Sequence, residues 1–261
     1  MIRTERITWR LYLRNAVITT AAAGVLLSCS DSTSPDKSGM FFGPLVTVAD
    51  GTARSYVILD AAGLPTDVGV ALTEAALTGL PGTSTEFLIE LPPEAAATVY
   101  DHATLNWQHM GHGPPGIYSV PHFDLHVYMI TQSERAAMVL GTPELSARMV
   151  RPPAAEFVPA GYAAGPILPQ MGMHWTDSSA PERNGQPFIY TFFYGSYDGV
   201  FMLHEPMVTK AFLETKPVGV VTPIKLPAQY ATHGYQATSY TVGYDAGAKE
   251  YRIALSGLVN R

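Results

Sequence analysis

Phe188-Ile-Tyr-Thr-Phe-Phe-Tyr194, closed by Gly195 and followed after Ser196-Tyr-Asp198 by Gly199-Val-Phe-Met-Leu203, decides the class of this chain. Two runs dense in β-branched and aromatic residues around a turn-prone tripeptide predict a β-hairpin, because such side chains suit a pleated, half-buried surface. Toward the C-terminus, Tyr240-Thr-Val-Gly-Tyr244 and Tyr251-Arg-Ile-Ala-Leu255 flank Asp245-Ala-Gly247 and predict a second hairpin. Upstream, Phe41 to Val48 and Ser55 to Leu59 predict further strands. The Ala-rich stretch Pro65 to Leu80 predicts a helix, and Ser133 to Leu140 a short one capped by Ser133. Pro152 to Pro169, rich in Pro, Ala and Gly, is expected to be a long loop. The expected fold is mainly β with minor helix, a barrel or sandwich-like single domain over residues 40–261.

The N-terminus is set apart from that fold. Arg3, Arg6, Arg10 and Arg14 precede an uncharged, mostly apolar run of 12 residues from Ala16 to Leu27. A membrane-spanning helix needs roughly 20 such residues, so the layout is that of a secretory signal. It ends in Leu26-Leu27-Ser28-Cys29, the pattern of a lipoprotein signal in which the cysteine is acylated and becomes the new N-terminus. Residues 1–28 are therefore expected to be a removable signal peptide. Cys29 is the expected site of lipidation, and residues 29–39 a flexible polar tether. These features predict an exported protein held at the cell envelope by a membrane anchor. Cys29 is the only cysteine, so the mature fold has no internal disulfide and rests on its apolar core. Removing residues 1–28, with four Arg and one Glu, takes the net charge from −6 to −9. An acidic chain with no Lys/Arg cluster is not a nucleic-acid binder, since that binding depends on neutralising phosphates.

The segment richest in chemistry is Pro121-His-Phe-Asp-Leu-His-Val-Tyr-Met-Ile130. At the two-residue period of a strand, Phe123, Leu125, Val127 and Met129 share one face, and His122, Asp124, His126 and Tyr128 the other. Imidazole and carboxylate are the usual nitrogen and oxygen ligands of zinc, iron or manganese. On a straight strand, however, the Cα atoms of His122 and His126 lie about 13 Å apart. One ion can reach both only if the strand bends, and otherwise one of the two histidines is an outer partner. Asp124 is a ligand or accepts a histidine ring proton. His174 in Met171-Gly-Met-His-Trp175 and Glu205 in His204-Glu-Pro-Met207 are expected to complete the coordination, with His204 on the opposite strand face. His112, in the Pro/Gly-rich segment after Trp107, is placed at the mouth of the site. Met171, Met173, Met202 and Met207 leave copper as a minor option, although Met is a common core filler.

Gly111-His-Gly-Pro-Pro-Gly-Ile-Tyr118, Pro121-His-Phe-Asp-Leu-His126, Met171-Gly-Met-His-Trp175, Tyr194-Gly-Ser-Tyr-Asp-Gly199 and Glu205-Pro-Met207 together resemble a family of exported bacterial proteins of unknown function, over about Leu105 to Leu213. The resemblance implies export and a β-rich domain of unknown function, and no activity. The metal reading comes from the residues themselves. It gives one divalent metal held by His122, His126, His174 and Glu205 with Asp124, in a protein that binds or acts on a small molecule. The alternative is a non-catalytic envelope protein that binds a ligand or self-assembles as a homo-oligomer, its histidines and Asp124 forming a structural hydrogen-bond network. No Gly-x-Ser-x-Gly elbow, phosphate-cradling loop or dinucleotide fingerprint occurs.

Overall fold

The computed structural model describes residues 36–261; the expected signal peptide, Cys29 and most of the tether lie outside the described residues. The chain opens with β1 (Gly39–Phe42), β2 (Val46–Val48), β3 (Gly51–Leu59) and β4 (Pro65–Thr73). The last of these corrects the helix expected from Pro65. Val68, Val70 and Leu72 alternate into the core, and Gly69 lies so close to β-structure near the C-terminus that an added Cβ would stand 2.6 Å from the Ile253 carbonyl oxygen. Alanine content misled here because period-two burial outweighs helix propensity. Only Glu74–Leu77 turns helically, as a single 3-10 segment.

The next seven strands make the second sheet: β5 (Thr85–Glu90), β6 (His102–Gln108), β7 (His122–Tyr128), β8 (Tyr162–Leu168), β9 (Gly172–Asp177), β10 (Tyr190–Tyr197) and β11 (Val200–Thr209). They lie antiparallel in the order β5-β6-β7-β11-β10-β9-β8. The chain continues through β12 (Val220–Pro223), the short β13 (Tyr235–Gln236), β14 (Ser239–Asp245), β15 (Glu250–Ser256) and the short β16 (Val259–Asn260). Strands β12, β14 and β15 return to the first sheet, ordered β1-β3-β4-β15-β14-β12 with β2 also on β3, while β13 pairs with β16. Neither seven-stranded sheet closes on itself, so the barrel alternative gives way to a sandwich-like arrangement. One core joins the sheets: Val57, Val70, Leu72 and Ile253 from the first, and Leu105, Phe123, Leu125 and Phe192 from the second.

The β10–β11 hairpin forms as expected but is tighter than its sequence suggested. Ser196 and Tyr197 stay in the strand, and Asp198 and Gly199 alone make the turn, both at positive φ (52° and 83°). Such two-residue turns match the right-handed twist of the strands they join. Strand β11 then runs through the site to Thr209, carrying Pro206 in mid-sheet between β10 and β7. Pro206 has no N–H to offer a neighbour, and the ladder to β7 passes from His204–Val127 directly to Met207–Asp124.

Three short helices lie outside the sheets: α1 (Gln132–Ala136), α2 (Pro143–Val150) and α3 (Lys210–Glu214). The cap of α1 is Thr131, in a reciprocal capping box with Glu134, rather than Ser133. The expected loop Pro152 to Pro169 contains β8, an edge strand with a register shift between Ala164 and Ile167. No helix among the described residues is long and apolar enough to cross a membrane.

Candidate metal centre

Strand β7 is buried along both faces, with every residue from His122 to Tyr128 at most 1% exposed. Phe123, Leu125 and Val127 enter the core between the sheets, as the period-two pattern predicts. His122, Asp124, His126 and Tyr128 turn away from that core, toward loops that cover the outer face of the second sheet. Two apolar clusters bracket the polar strip. Tyr128, Met138, Met149, Met202 and Leu203 close one end, and Tyr118, Phe188, Phe193 and Met207 the other. Between them opens a cavity of about 540 Å³ whose lining includes Asp124, His126, His174 and Glu205.

The sequence-chosen ligands separate into two groups. His126, His174 and Glu205 form one; His122 and Asp124 form another, completed by His112. Within each group one ligand atom per residue lies within 4.8 Å of the others. A single ion shared by His122 and His126 is therefore corrected: β7 stays extended, and its two histidines serve different groups.

In the first group, His126 Nε2 is 3.2 Å from Glu205 Oε1 and His174 Nε2 is 3.4 Å from Glu205 Oε2. Glu205 reaches His126 because β11 lies beside β7. His174 reaches it from β9 across Gly195 of β10, which pairs with His174 and has no side chain to intervene. A Cβ on Gly195 would meet Leu203 Cδ2 at 2.7 Å and the Met171 carbonyl oxygen at 2.9 Å.

Both rings are fixed from behind. His174 Nδ1 donates to the Pro166 carbonyl oxygen at 3.2 Å. His126 Nδ1 donates to Asn106 Oδ1 at 3.1 Å, and Asn106 is itself set by Thr104, which donates to Oδ1, and by Glu86, which accepts from Nδ2. Arg135 donates to the same Glu86 oxygen at 2.6 Å. An oxygen of a carbonyl or amide only accepts, so Nδ1 carries a proton in both rings and Nε2 is the atom turned to the carboxylate; His126 Nε2 donates to Glu205 while the ring is charged and offers a lone pair once that proton is lost. Outer partners of this kind hold the histidines of metal sites.

The second group repeats the arrangement. His122 Nδ1 donates to the Val120 carbonyl oxygen at 2.6 Å and His112 Nδ1 to the Gly113 carbonyl oxygen at 2.8 Å. Their Nε2 atoms face Asp124, at 3.0 Å from Oδ1 and 3.6 Å from Oδ2. Gln108 donates to Oδ2 at 2.9 Å. His112 is positioned by Gly111, whose φ of +72° and approach to the Tyr118 carbonyl oxygen exclude any side chain there.

Charge in the strip is unusual. Asp124 and Glu205 are 1% and 2% exposed, and among the described residues neither has a Lys or Arg partner. Burial pushes the Asp124 carboxyl up, but the two imidazoles facing it outweigh this and hold it below the usual carboxylate range. Burial likewise opposes charge on His112 and His126, and the facing carboxylates overcome it, lifting His112 to about 9 and raising His126. At His174 burial prevails and the pKa falls. Buried atoms His122 Nε2, Asp124 Oδ1 and Glu205 Oε2 have no hydrogen-bond partner among the described residues. Orphaned buried atoms of this sort are costly unless a cation or water serves them.

His204 lies on the other face of β11, as expected. Its Nδ1 is 2.8 Å from the Tyr100 hydroxyl, and burial lowers its pKa to about 3. Met171 lines the cavity, while Met173, Met202 and Met207 pack in apolar clusters. Sequence reasoning passed over Thr104, Asn106 and Gln108, although they alternate with the core residues Ala103, Leu105 and Trp107 in the pattern that had singled out β7.

Fold and site define the class: a mainly β, two-sheet protein with histidine–carboxylate groups buried on the outer face of one sheet, able to hold a metal ion. A family model described as TTHB210-like, hypothetical protein TTHB210, is similar to residues 60–107. That span covers β4, β5 and β6 up to Trp107, includes Thr104 and Asn106 but no member of either group, and meets the motif-bearing region only at Leu105–Trp107. No curated protein and no solved structure matches the chain.

Proposed function

We propose that the protein holds a divalent cation of the zinc, iron or manganese kind between His126, His174 and Glu205, and uses it to bind or transform a small molecule in the adjoining cavity. The observation that carries this reading is Glu205, a buried carboxylate with no Arg or Lys partner among the described residues and two imidazoles turned toward it by carbonyl and amide oxygens. Two nitrogens and one carboxylate suit zinc or ferrous iron and leave coordination positions for water or substrate. A cation there would polarise a bound oxygen or lower the pKa of a bound water. Phe193, Pro166 and Met171 give the cavity apolar walls. Arg183, which also lines it and has no ion pair among the described residues, favours a small molecule bearing an acidic group. The Arg-rich N-terminus and Leu-Leu-Ser-Cys29 sequence support placing this chemistry at the cell envelope, on a lipid anchor at Cys29.

The elevated His126 pKa favours a competing reading, in which imidazolium–carboxylate pairs make a purely structural network in a ligand-binding or self-assembling protein. Elemental analysis of untagged full-length protein, after incubation with each ion and dialysis, separates the two. Near-stoichiometric metal that disappears in folded His174→Ala and Glu205→Gln variants is the expected result. Wild-type protein that retains no ion would sink the cation reading and leave the network.

A further inference from the structure

We infer that the cavity has a second cation site, built by His112, His122 and Asp124 and filled independently of the first. Asp124 and His126 are two residues apart on β7, about 7 Å along an extended strand, so the two groups stand side by side without sharing a ligand. Each is complete in itself, with two imidazoles and one carboxylate.

In the second group Gln108 engages Asp124 Oδ2. The other oxygen, Oδ1, and His122 Nε2 are buried 3.0 Å apart, and neither has a hydrogen-bond partner among the described residues. Both rings have their Nδ1 atoms committed to backbone carbonyls, so their Nε2 atoms converge on Asp124, and a cation entering there takes the place of any proton they carry. The donor set is that of the first group, so the ligand is again a divalent transition cation.

The two sites differ in access. The His112 side chain is 33% exposed, whereas the five other ligand side chains are at most 5% exposed. His112 also belongs to the loop that rims the cavity, while the ligands of the first group all stand on sheet strands. The second cation therefore exchanges faster and binds more weakly than the first.

The test is equilibrium dialysis of untagged full-length protein against Zn²⁺ alone, and separately against Co²⁺ with its visible spectrum recorded. Wild type, His112→Ala, Glu205→Gln and the double variant are compared. Two ions are expected in wild type, one in each single variant and none in the double variant, with the weaker affinity at least about tenfold lower or absent once His112 is removed. His112 lies on a loop and is partly exposed, so its replacement leaves the sheets intact; unchanged far-UV circular dichroism checks this. One wild-type ion that is lost in Glu205→Gln and kept in His112→Ala overturns the second site and leaves the first. One ion lost in His112→Ala and kept in Glu205→Gln supports the second site and removes the first. Two ions in His112→Ala, or none in wild type, also overturn the inference.

Discussion

The outer faces of the two sheets handle charge in opposite ways. On the first sheet, Arg54 of β3 pairs with Glu250 of β15 at 2.9 Å, and Arg252 pairs with Asp245 across the β14–β15 hairpin at 2.9 Å. These arginines are 25–30% exposed and stack over Phe42 and Tyr56; Arg54 Nε, Arg252 Nε and Glu250 Oε2 lack hydrogen-bond partners among the described residues, but each acid has a permanent cation beside it. On the second sheet Glu86 has Arg135, but Asp124 and Glu205 are deeper, and among the described residues the titratable groups facing those two are imidazoles. Arginine opposite a carboxylate makes a finished pair. Imidazole opposite a buried carboxylate can give up its proton and then leaves lone pairs and negative charge in one place, which is what a cation site requires.

The largest expected effect sharpens that contrast. Glu205→Gln should weaken ion binding at the first site by more than the roughly 10–100-fold typical of losing an outer partner, whereas Glu250→Gln on the first sheet should leave it unchanged. Isothermal titration calorimetry of both variants checks this, and equal losses would break the distinction between the faces. Asn106→Leu comes next. It removes the acceptor that holds His126 Nδ1, so about 10–100-fold weaker binding is expected, with the His112–His122–Asp124 site unaffected.

Saturating ion at about 100 times its Kd should raise the unfolding free energy by roughly 2.7 kcal/mol. Thermal melts should show that gain in wild type and lose it in Glu205→Gln. Binding should also weaken as pH falls, from about 9 downward where His112 is a ligand and from above the ordinary imidazole range where His126 is one, because each histidine must be deprotonated to hold an ion. Titrations at two pH values test the sign, and stronger binding at the acidic one would contradict it. The smallest effect belongs to the first sheet. Coupling between Arg54 and Glu250 should be about 0–1 kcal/mol in a double-mutant cycle, since the pair is partly solvated and screened.

How much of this was legible follows from what each signal depends on. The β7 pattern, the two hairpins and the opposite orientations of His204 and Glu205 are consequences of the two-residue strand period, which a sequence displays directly. The grouping of ligands is not, because it depends on which strands lie side by side. Placing β11 next to β7 assigns Glu205 to His126, and the bare Gly195 admits His174, facts of topology that no local window contains. His112 lines the cavity, as expected, and also faces Asp124, since the turn at Gly111 brings the loop back over β7. The missed strand β4 shows the reverse failure, local composition overruled by long-range pairing with β3 and β15.

Pro206 gives the centre a mechanical meaning. Where β11 cannot donate a backbone hydrogen bond, the seam beside β7 is held across His126 and Glu205 by side chains alone. A cation bound there would act as a clasp where the β7–β11 ladder is interrupted. Loading it should slow hydrogen exchange along β7 and β11 more than anywhere else, coupling the rigidity of the scaffold to the filling of its site.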